Sequence, residues 1–526
     1  MTPEPRHPTL EGVSVHRLGS SPLGVVALSF SAVFVWTCAY ETAADSIPAA
    51  AERTAGAEQG GAAEPGAHAE PAEAIAEGAA DQVAASEAAP AAPAERSGPR
   101  LRYEPDLTVE PFGLPIAIED LDGTSMDAFH AALGRAGRGE GKARAVFYGA
   151  SHVASDTFTH LIRESLQDRY GDGGQGFVLP VHAWRSYHRR GVEIESNRNQ
   201  WSAVRIRASS QEVGRFGLAG VYVETERAGA FGSLRPLERH DRGGKVGSFD
   251  LYYLKQPEGG SFDVLIDGRR AQRVMTAAEV EEPAYATFEV EDGPHRLEIR
   301  TQGTGKVRVF GVAMERERPG FVLDTLGLNG ARVRSHLLWE DSLYREHLRR
   351  RDPDLVVLAY GTNESGDDEV PIDVYTDRLR EVVGRIRETV PRASCLLIGP
   401  SDRPMRVDGA FQDRPRTSAI VEAQYRVSLE MGCGFFDLVA FQGGPLSMIE
   451  LAVADPPYAA PDHIHYTRRG YARLGEMLLG ALLEGAPEPG TRISAQAAAA
   501  QGVGAPPGEL VEAIVNEGPE RTYEDD

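Results

Sequence analysis

Residues 144–156 read "RAVFYGASHVASD". Ala145 to Tyr148 are mostly apolar and form a run of strand length, which predicts a short buried strand. Gly149 and Ala150 remove all bulk just before Ser151, and beyond Ser151 the pattern turns helical, with a helix expected over about 155–170. Two readings compete at this point. One is a tight turn that any small residue would satisfy. The other is a nucleophile held at the C-terminal edge of a parallel sheet, with a helix N-terminus beneath it.

The flanking sequence supports the sheet. Upstream, "TSMDAFHAAL" has the pattern of an amphipathic helix, with Thr124 or Ser125 expected as its N-cap. "GDGGQGFVLP" (171–180) is glycine-rich and is expected to be a loop. It lacks the spacing and the lysine of a phosphate-binding loop. Between about 199 and 316 the character changes. "SAVRIRAS", "SFDLYYLK", "SFDVLIDG", "HRLEIRTQ" and "KVRVFGVAME" are short, often alternating segments divided by Gly, Pro and Asp, the pattern of a β-sandwich. Strand–helix alternation then resumes in "GFVLDTLGLNGARV", "DLVVLAYGTNES", "VYTDRLREVVGRIRETV", "SCLLIGPSDR", "SAIVEAQYRVSLEMG", "CGFFDLV" and "TRRGYARLGEMLLGALLEG". Continuous apolar strands alternating with helices indicate an α/β domain whose parallel sheet is covered on both faces. The β-rich block is therefore an insertion in it. "RSHLLWEDSLYREHLRRR" is expected to be a solvated helix face.

The ends differ from this body. No residue from Leu18 to Tyr40 is charged, Arg17 precedes that segment, and Glu41 and Asp45 follow it. Its length is nearer a membrane span than a signal-peptide core, and the flanking charges keep the N-terminus cytoplasmic and export the body. An uncleaved anchor is the expectation, with cleavage or lipidation at Cys38 as alternatives. Ala, Glu, Pro and Gly then dominate, too polar to bury a core. The expected organisation is a cytoplasmic 1–17, an anchor or signal over 18–40, a disordered linker over 41–99, and a first α/β part over 100–198. An inserted β-sandwich follows over 199–316, a second α/β part over 317–484, and a disordered acidic tail over 485–526. Lys plus Arg total 55 against 78 Asp plus Glu, a net charge of −23, which argues against general nucleic-acid binding. The 3 cysteines do not make a disulfide framework, and Cys395, in "SCLLIG", is expected to be a small apolar core residue.

Three polar clusters fall at strand ends, where open α/β sheets carry their sites. They are Ser151, Asn363 in "YGTNES", and Asp462 with His465 in "APDHIHYTRRGY". A serine hydroxyl is a weak nucleophile until a base takes its proton. His465 meets that need, and Asp462, three residues before it, can fix the imidazole tautomer. The oxyanion of a tetrahedral intermediate needs donors, which the Ser151 N–H, a glycine N–H and the Asn363 amide can supply. Asp462, His463 and His465 together suggest a metal cluster, but no second cluster supplies further ligands, so no metal and no cofactor are expected.

In chain order the blocks "GAS", "LGLNGA", "GTNE" and "DHIH" resemble those of the SGNH (GDSL-like) hydrolases. The resemblance implies a three-layer α/β/α, flavodoxin-like domain and a serine esterase with Ser151, Asp462 and His465 as its catalytic residues. Ser151, Gly330 and Asn363 would form the oxyanion hole, with Gly327 competing for the second block. Ala150 departs from the pattern, which has Asp there. The β-insert between the first two blocks resembles the branch of peptidoglycan O-acetylesterases of the bacterial envelope. That implies an acetylated polysaccharide as substrate and an exported, membrane-anchored enzyme on the periplasmic side. Related members transfer acetyl groups instead, and a non-catalytic carbohydrate-binding protein is a third reading. His152 and Trp184 are candidate substrate contacts, Trp184 as part of a sugar-binding rim with Arg185 and Tyr187 in "HAWRSYH".

Overall fold

A computed structural model of the chain describes residue 112 and residues 116–489, apart from 208–209 and 240–241. The apolar segment 18–40, the linker 41–99 and the tail beyond 489 lie outside the described residues. Among the described residues no helix is long and apolar enough to cross a membrane.

Five parallel strands form the central sheet, in the order Gly320–Gly327, Lys142–Gly149, Leu355–Ala359, Ser394–Ile398 and Gly434–Phe436. Side chains alternate across a pleated strand, and here the alternation sorts them into two cores. Ala143, Ala145 and Phe147 pack with Phe129, Leu161, Leu474 and Leu478. Val146 and Tyr148 belong with Leu343, Leu379, Val383 and Val427. Helices Asp127–Gly137, Phe158–Tyr170 and Arg468–Leu483 therefore cover one face, and Asp341–Arg351, Ile372–Thr389 and Pro415–Met431 the other. Each fully buried Leu or Phe in these layers contributes about 1.5–3 kcal/mol of apolar burial.

The insertion is a β-sandwich of two antiparallel sheets. One runs Arg269–Met275, Ser261–Ile266, Leu297–Gln302, Ala228–Pro236 and Val192–Ser196. The other runs Glu282–Gly293, Val246–Lys255, Val307–Glu315, Val221–Thr225 and Ser202–Arg205. Pairing into these sheets begins before residue 199. Val192–Ser196 closes one edge, and Gly174–Val178, expected as a glycine-rich loop, is a strand paired with Val307–Glu315. This strand is clamped between insert and sheet, with the Phe177 N–H donating to Asp324 Oδ1 at 2.7 Å.

Buried charge joins the insert to the α/β body. Glu315 accepts from Lys142 at 2.7 Å, from Arg144 at 2.9 Å and from Arg351 at 2.9 Å, and Arg351 also clasps Asp324 at 2.7 and 3.0 Å. Burial alone would raise the Glu315 pKa, but the three cations hold it well below the usual carboxylate range. The "RSHLLWEDSLYREHLRRR" segment is solvated on one side of its helix, where Asp341, Ser342, Glu346, Arg349 and Arg350 are exposed, but its other side is not. Leu343, Tyr344, His347, Leu348 and Arg351 are buried, because the sandwich covers that side. Tyr252 and Phe310 of the insert pack their rings on His347 at 5.3 and 5.1 Å.

Three local expectations are corrected. Neither Thr124 nor Ser125 caps the first helix, whose N-cap is Met126 without a side-chain bond. Asp120 and Asp122 draw the Ser125 and Thr124 N–H groups into turns of their own. The helix expected from 155 begins at Phe158, because Ser151–Ala154 makes one separate turn and Asp156, at φ 45°, breaks the chain between them. Cys395 is not a lone packing residue, since it forms a disulfide with Cys433. Helix Pro415–Met431 carries the chain across to the adjacent strand, and so joins cysteines 38 residues apart.

Candidate active site

The sheet register brings three loops to one edge. Gly149 lies opposite Gly327 on one side and Ala359 on the other. Ser151, Gly330 and Asn363 follow these residues by two, three and four positions, so all three emerge at the C-terminal edge of adjacent strands. Ser151 opens the single turn Ser151–Ala154, and a first-turn N–H has no acceptor within its own helix. Gly330 sits at φ +73° in a turn closed by the Ala331 N–H donating to Leu328 O at 3.0 Å, a position suited to glycine. Gly327, its competitor, is a strand residue and faces the backbone of Ala154.

The fourth loop, just before helix Arg468–Leu483, reaches the same edge. His465 Nε2 lies 2.8 Å from Ser151 Oγ, and His465 Nδ1 lies 2.7 Å from Asp462 Oδ2. The Asp-x-x-His spacing works through a local turn. Asp462 Oδ1 accepts the N–H groups of Ile464 at 2.9 Å and His465 at 3.0 Å, which aims its second oxygen at the imidazole. Partial burial would raise the Asp462 pKa, but these bonds and the His465 side chain hold it well below the usual carboxylate range. The Asp462 side chain is 46% exposed, so water screens its charge and its main effect on His465 is orientation. Both His465 nitrogens are engaged, and the His463 ring packs on Phe411 at 4.6 Å, an arrangement that does not turn three donors toward one cation.

Ties between loops hold the edge. The Asn363 amide donates to Ala331 O at 3.0 Å and keeps a second N–H. Glu364 accepts from the Val333 N–H at 2.7 Å and the Gly361 N–H at 3.0 Å, joining the loops that carry Gly330 and Asn363. Burial pushes its pKa up, against those bonds. Arg332 and Asp367 add a paired contact at 2.6 Å. Arg403 donates to Thr362 O at 2.8 Å and to Asn363 O at 3.3 Å. Sequence reading did not single out Glu364 or Arg403, although Glu364 lies inside the "GTNE" block.

His152 is beside the triad, its ring 5.6 Å from that of His465. Its nitrogens meet the Tyr471 hydroxyl at 3.0 Å and Ser401 Oγ at 3.3 Å. Burial, and then the neighbouring His465, lowers its pKa to about 3, so it is neutral. Trp184 is elsewhere. With Trp201 and Arg205 it lines a cleft whose residues include no member of the triad, while the Tyr187 hydroxyl accepts from the Leu179 N–H.

The arrangement is equipped for nucleophilic attack by Ser151 on an ester carbonyl. The GDSL-like lipase/acylhydrolase family matches residues 300–473. Among solved structures, a peptidoglycan O-acetylesterase is similar in fold at 24% identity and a TM-score of 0.56, covering 69% of this chain and 96% of that one. A salicylyl-acyltransferase from a tetracycline biosynthetic pathway matches at 15% identity and a TM-score of 0.26, over 57% of this chain and 99% of that one. A family two carbohydrate esterase from Cellvibrio japonicus matches at 14% identity and a TM-score of 0.24, over 54% of this chain and 98% of that one. No curated protein matches.

Proposed function

We propose that this chain, which belongs to the GDSL-like lipase/acylhydrolase family and is an esterase of that class, removes O-acetyl groups from an envelope polysaccharide such as peptidoglycan. The continuous Ser151–His465–Asp462 hydrogen-bond chain carries the reading. His465 Nε2 takes the Ser151 proton as Oγ attacks the acetyl carbonyl. The Ser151 and Gly330 N–H groups and the Asn363 amide receive the oxyanion. The intermediate collapses, the C–O bond to the sugar breaks, and His465 returns the proton to the leaving hydroxyl. Water, deprotonated by His465, then attacks the acetyl-serine and releases acetate.

Acyl transfer differs only in the second step, where a sugar hydroxyl replaces water. The test is acetate release from acetylated peptidoglycan by the wild type, with Ser151→Ala at least about 10⁴-fold slower because the triad acts as a unit. Near wild-type turnover by Ser151→Ala would refute this site, and acetate appearing on an added polysaccharide instead of in solution would favour transfer. We also infer an exported, membrane-anchored enzyme on the periplasmic side. The uncharged 18–40 segment and a disulfide, which persists in oxidising compartments, support that reading. Retention of the full-length protein on membranes after a salt wash is expected, and its recovery in the soluble fraction would overturn the anchor.

A further inference from the structure

The cleft that holds Trp184 offers about 770 Å³ of space. Its walls include Trp184, Trp201, Asn199, Arg198, Arg205 and Arg207, and among the described residues that line it none is Asp or Glu. In a chain of net charge −23, a concavity whose described lining holds three arginines and no carboxylate is a local reversal of sign. Both indoles are fixed walls, 7% and 8% exposed. Trp201 Nε1 donates to Phe231 O at 3.0 Å, and Trp184 packs edge-on against Tyr187 at 4.9 Å. The Arg205 guanidinium lies 5.2 Å from the Trp184 ring centre, a cation–π contact that orients it. Arg198 and Arg207 are exposed along the same walls.

Guanidinium groups match a carboxylate with two parallel hydrogen bonds, and the nearly buried indoles make the walls that carry them rigid. We propose that this cleft binds a carboxylate-bearing glycan. The inference rests on the polysaccharide-esterase reading above, and adds to it a negatively charged strand gripped away from the triad. Cleft and nucleophile are linked by one loop. Four residues after Trp184, a span of at most about 14 Å, His188 Nε2 meets Ser155 O at 3.1 Å. The next residue, Arg189, binds Asp156 at 2.6 Å. A strand held in this cleft thus lies against the same loop that braces the turn carrying Ser151.

The test is calorimetric binding by the full-length protein, using unacetylated probes. One is a uronic-acid oligomer, another a peptide-free peptidoglycan glycan strand with its lactyl carboxylates, and the controls are the same two with carboxylates reduced to alcohols. At least one charged probe should bind about tenfold or more tighter than its reduced form, the scale expected for charge-assisted bonds. Preference for one charged probe identifies the source of the carboxylate. Arg198→Gln/Arg207→Gln, at two exposed positions, should abolish the difference while hydrolysis of a small activated acetyl ester stays at wild-type rate. Equal binding of charged and reduced probes, or a double variant that keeps the preference, overturns the proposal. Release of acetate from polymer without charge preference would sink the cleft and leave the esterase. Charge-selective binding without acetate release from any polymer would do the reverse.

Discussion

Replacing Gly327 by alanine adds one methyl group where the edge strand meets the turn that carries Ser151. A Cβ built there would lie 2.1 Å from Ala154 N, 2.5 Å from Ala154 Cα and 2.6 Å from Val153 C, whereas real Cβ atoms essentially never approach closer than 3.0 Å. All three are backbone atoms, so no rotamer relieves the contact, and strand and turn must separate by about 0.9 Å. Ala154 N donates to Ala150 O at 2.9 Å, the bond that closes the turn opened by Ser151. The displacement therefore passes to Ser151 Oγ, which sits 2.8 Å from His465 Nε2. Adding most of an ångström to that distance takes it beyond hydrogen-bond range. A misplacement of about 1 Å costs about 10²-fold in rate, and overpacking costs about 1–3 kcal/mol in stability. The assays are turnover of a small activated acetyl ester, the labelling rate with a fluorophosphonate, and thermal melting. Both rates should fall about 100-fold while the melt stays cooperative. Gly330→Ala is the control, because its Cβ has no atom within 4 Å and only φ +73° opposes it, about 1–2 kcal/mol of backbone strain. Its loss of turnover should be under tenfold. A folded Gly327→Ala protein with turnover within threefold of wild type would show that the strand does not set the position of the nucleophile.

Two further outcomes are expected. Asn363→Ala should lower turnover by about 10²–10³ through loss of an oxyanion donor, and a loss under threefold would make the amide merely the tie to Ala331. Asp402, 1% exposed, has its pKa pushed up by burial to about 6 from 3.8. The folded state therefore holds that proton more tightly than the unfolded chain. Its contribution to stability is fully present below about pH 4 and is lost as pH rises through 6. Asp402→Asn has no such term, so the stability difference between wild type and variant should move by about 3 kcal/mol in the variant's favour between pH 4 and 7. Urea unfolding of both proteins across that range measures it, and a constant difference would contradict the assignment.

What could be read in the sequence followed from periodicity and order. Runs such as "LVVLA" and the three polar clusters at strand ends are local signals, the Gly330 block comes only with the family resemblance, and a parallel sheet converts the chain order of all four into adjacency at one edge. The missed features are those that only tertiary contact creates. In sequence Cys395 reads as a core residue without a partner because strand neighbours in a parallel sheet are separated in sequence by a crossover helix, which puts Cys433 38 residues away. The helix Asp341–Arg351 looked solvated because its arginines fit an exposed face, while Arg351 is in fact consumed by Asp324 and Glu315. The early start of the sandwich was hidden because glycines at 174 and 176 mask a strand whose partner lies well over a hundred residues further on.

Ala150 stands where the resemblance leads one to expect an acid, directly before the nucleophile, and it is an N-cap without a side-chain bond. A buried carboxylate is found instead at the far end of that turn. Asp156 Oδ1 accepts from Thr159, Arg163, Arg189 and Thr325, and Oδ2 from the Arg190 N–H. Burial would raise its pKa, but Arg189, Arg163 and the bonds around them hold it far below the usual range. Arg189 also donates to Gln175 O and Leu323 O, at 2.8 and 2.7 Å. One ionic centre thus fixes the turn after Ser151, the strand bearing Gly327 and the first strand paired into the sandwich. Well-packed apolar residues would often stabilise a fold as much as such a network. What the network adds is that one carboxylate ties three elements together beside a hydroxyl that lies 2.8 Å from His465 Nε2. Removing one member, as in Asp156→Ala, leaves two arginines buried without their acid, a cost of about 3–5 kcal/mol. The network is therefore better understood as the mounting of the turn that carries Ser151 than as a source of stability.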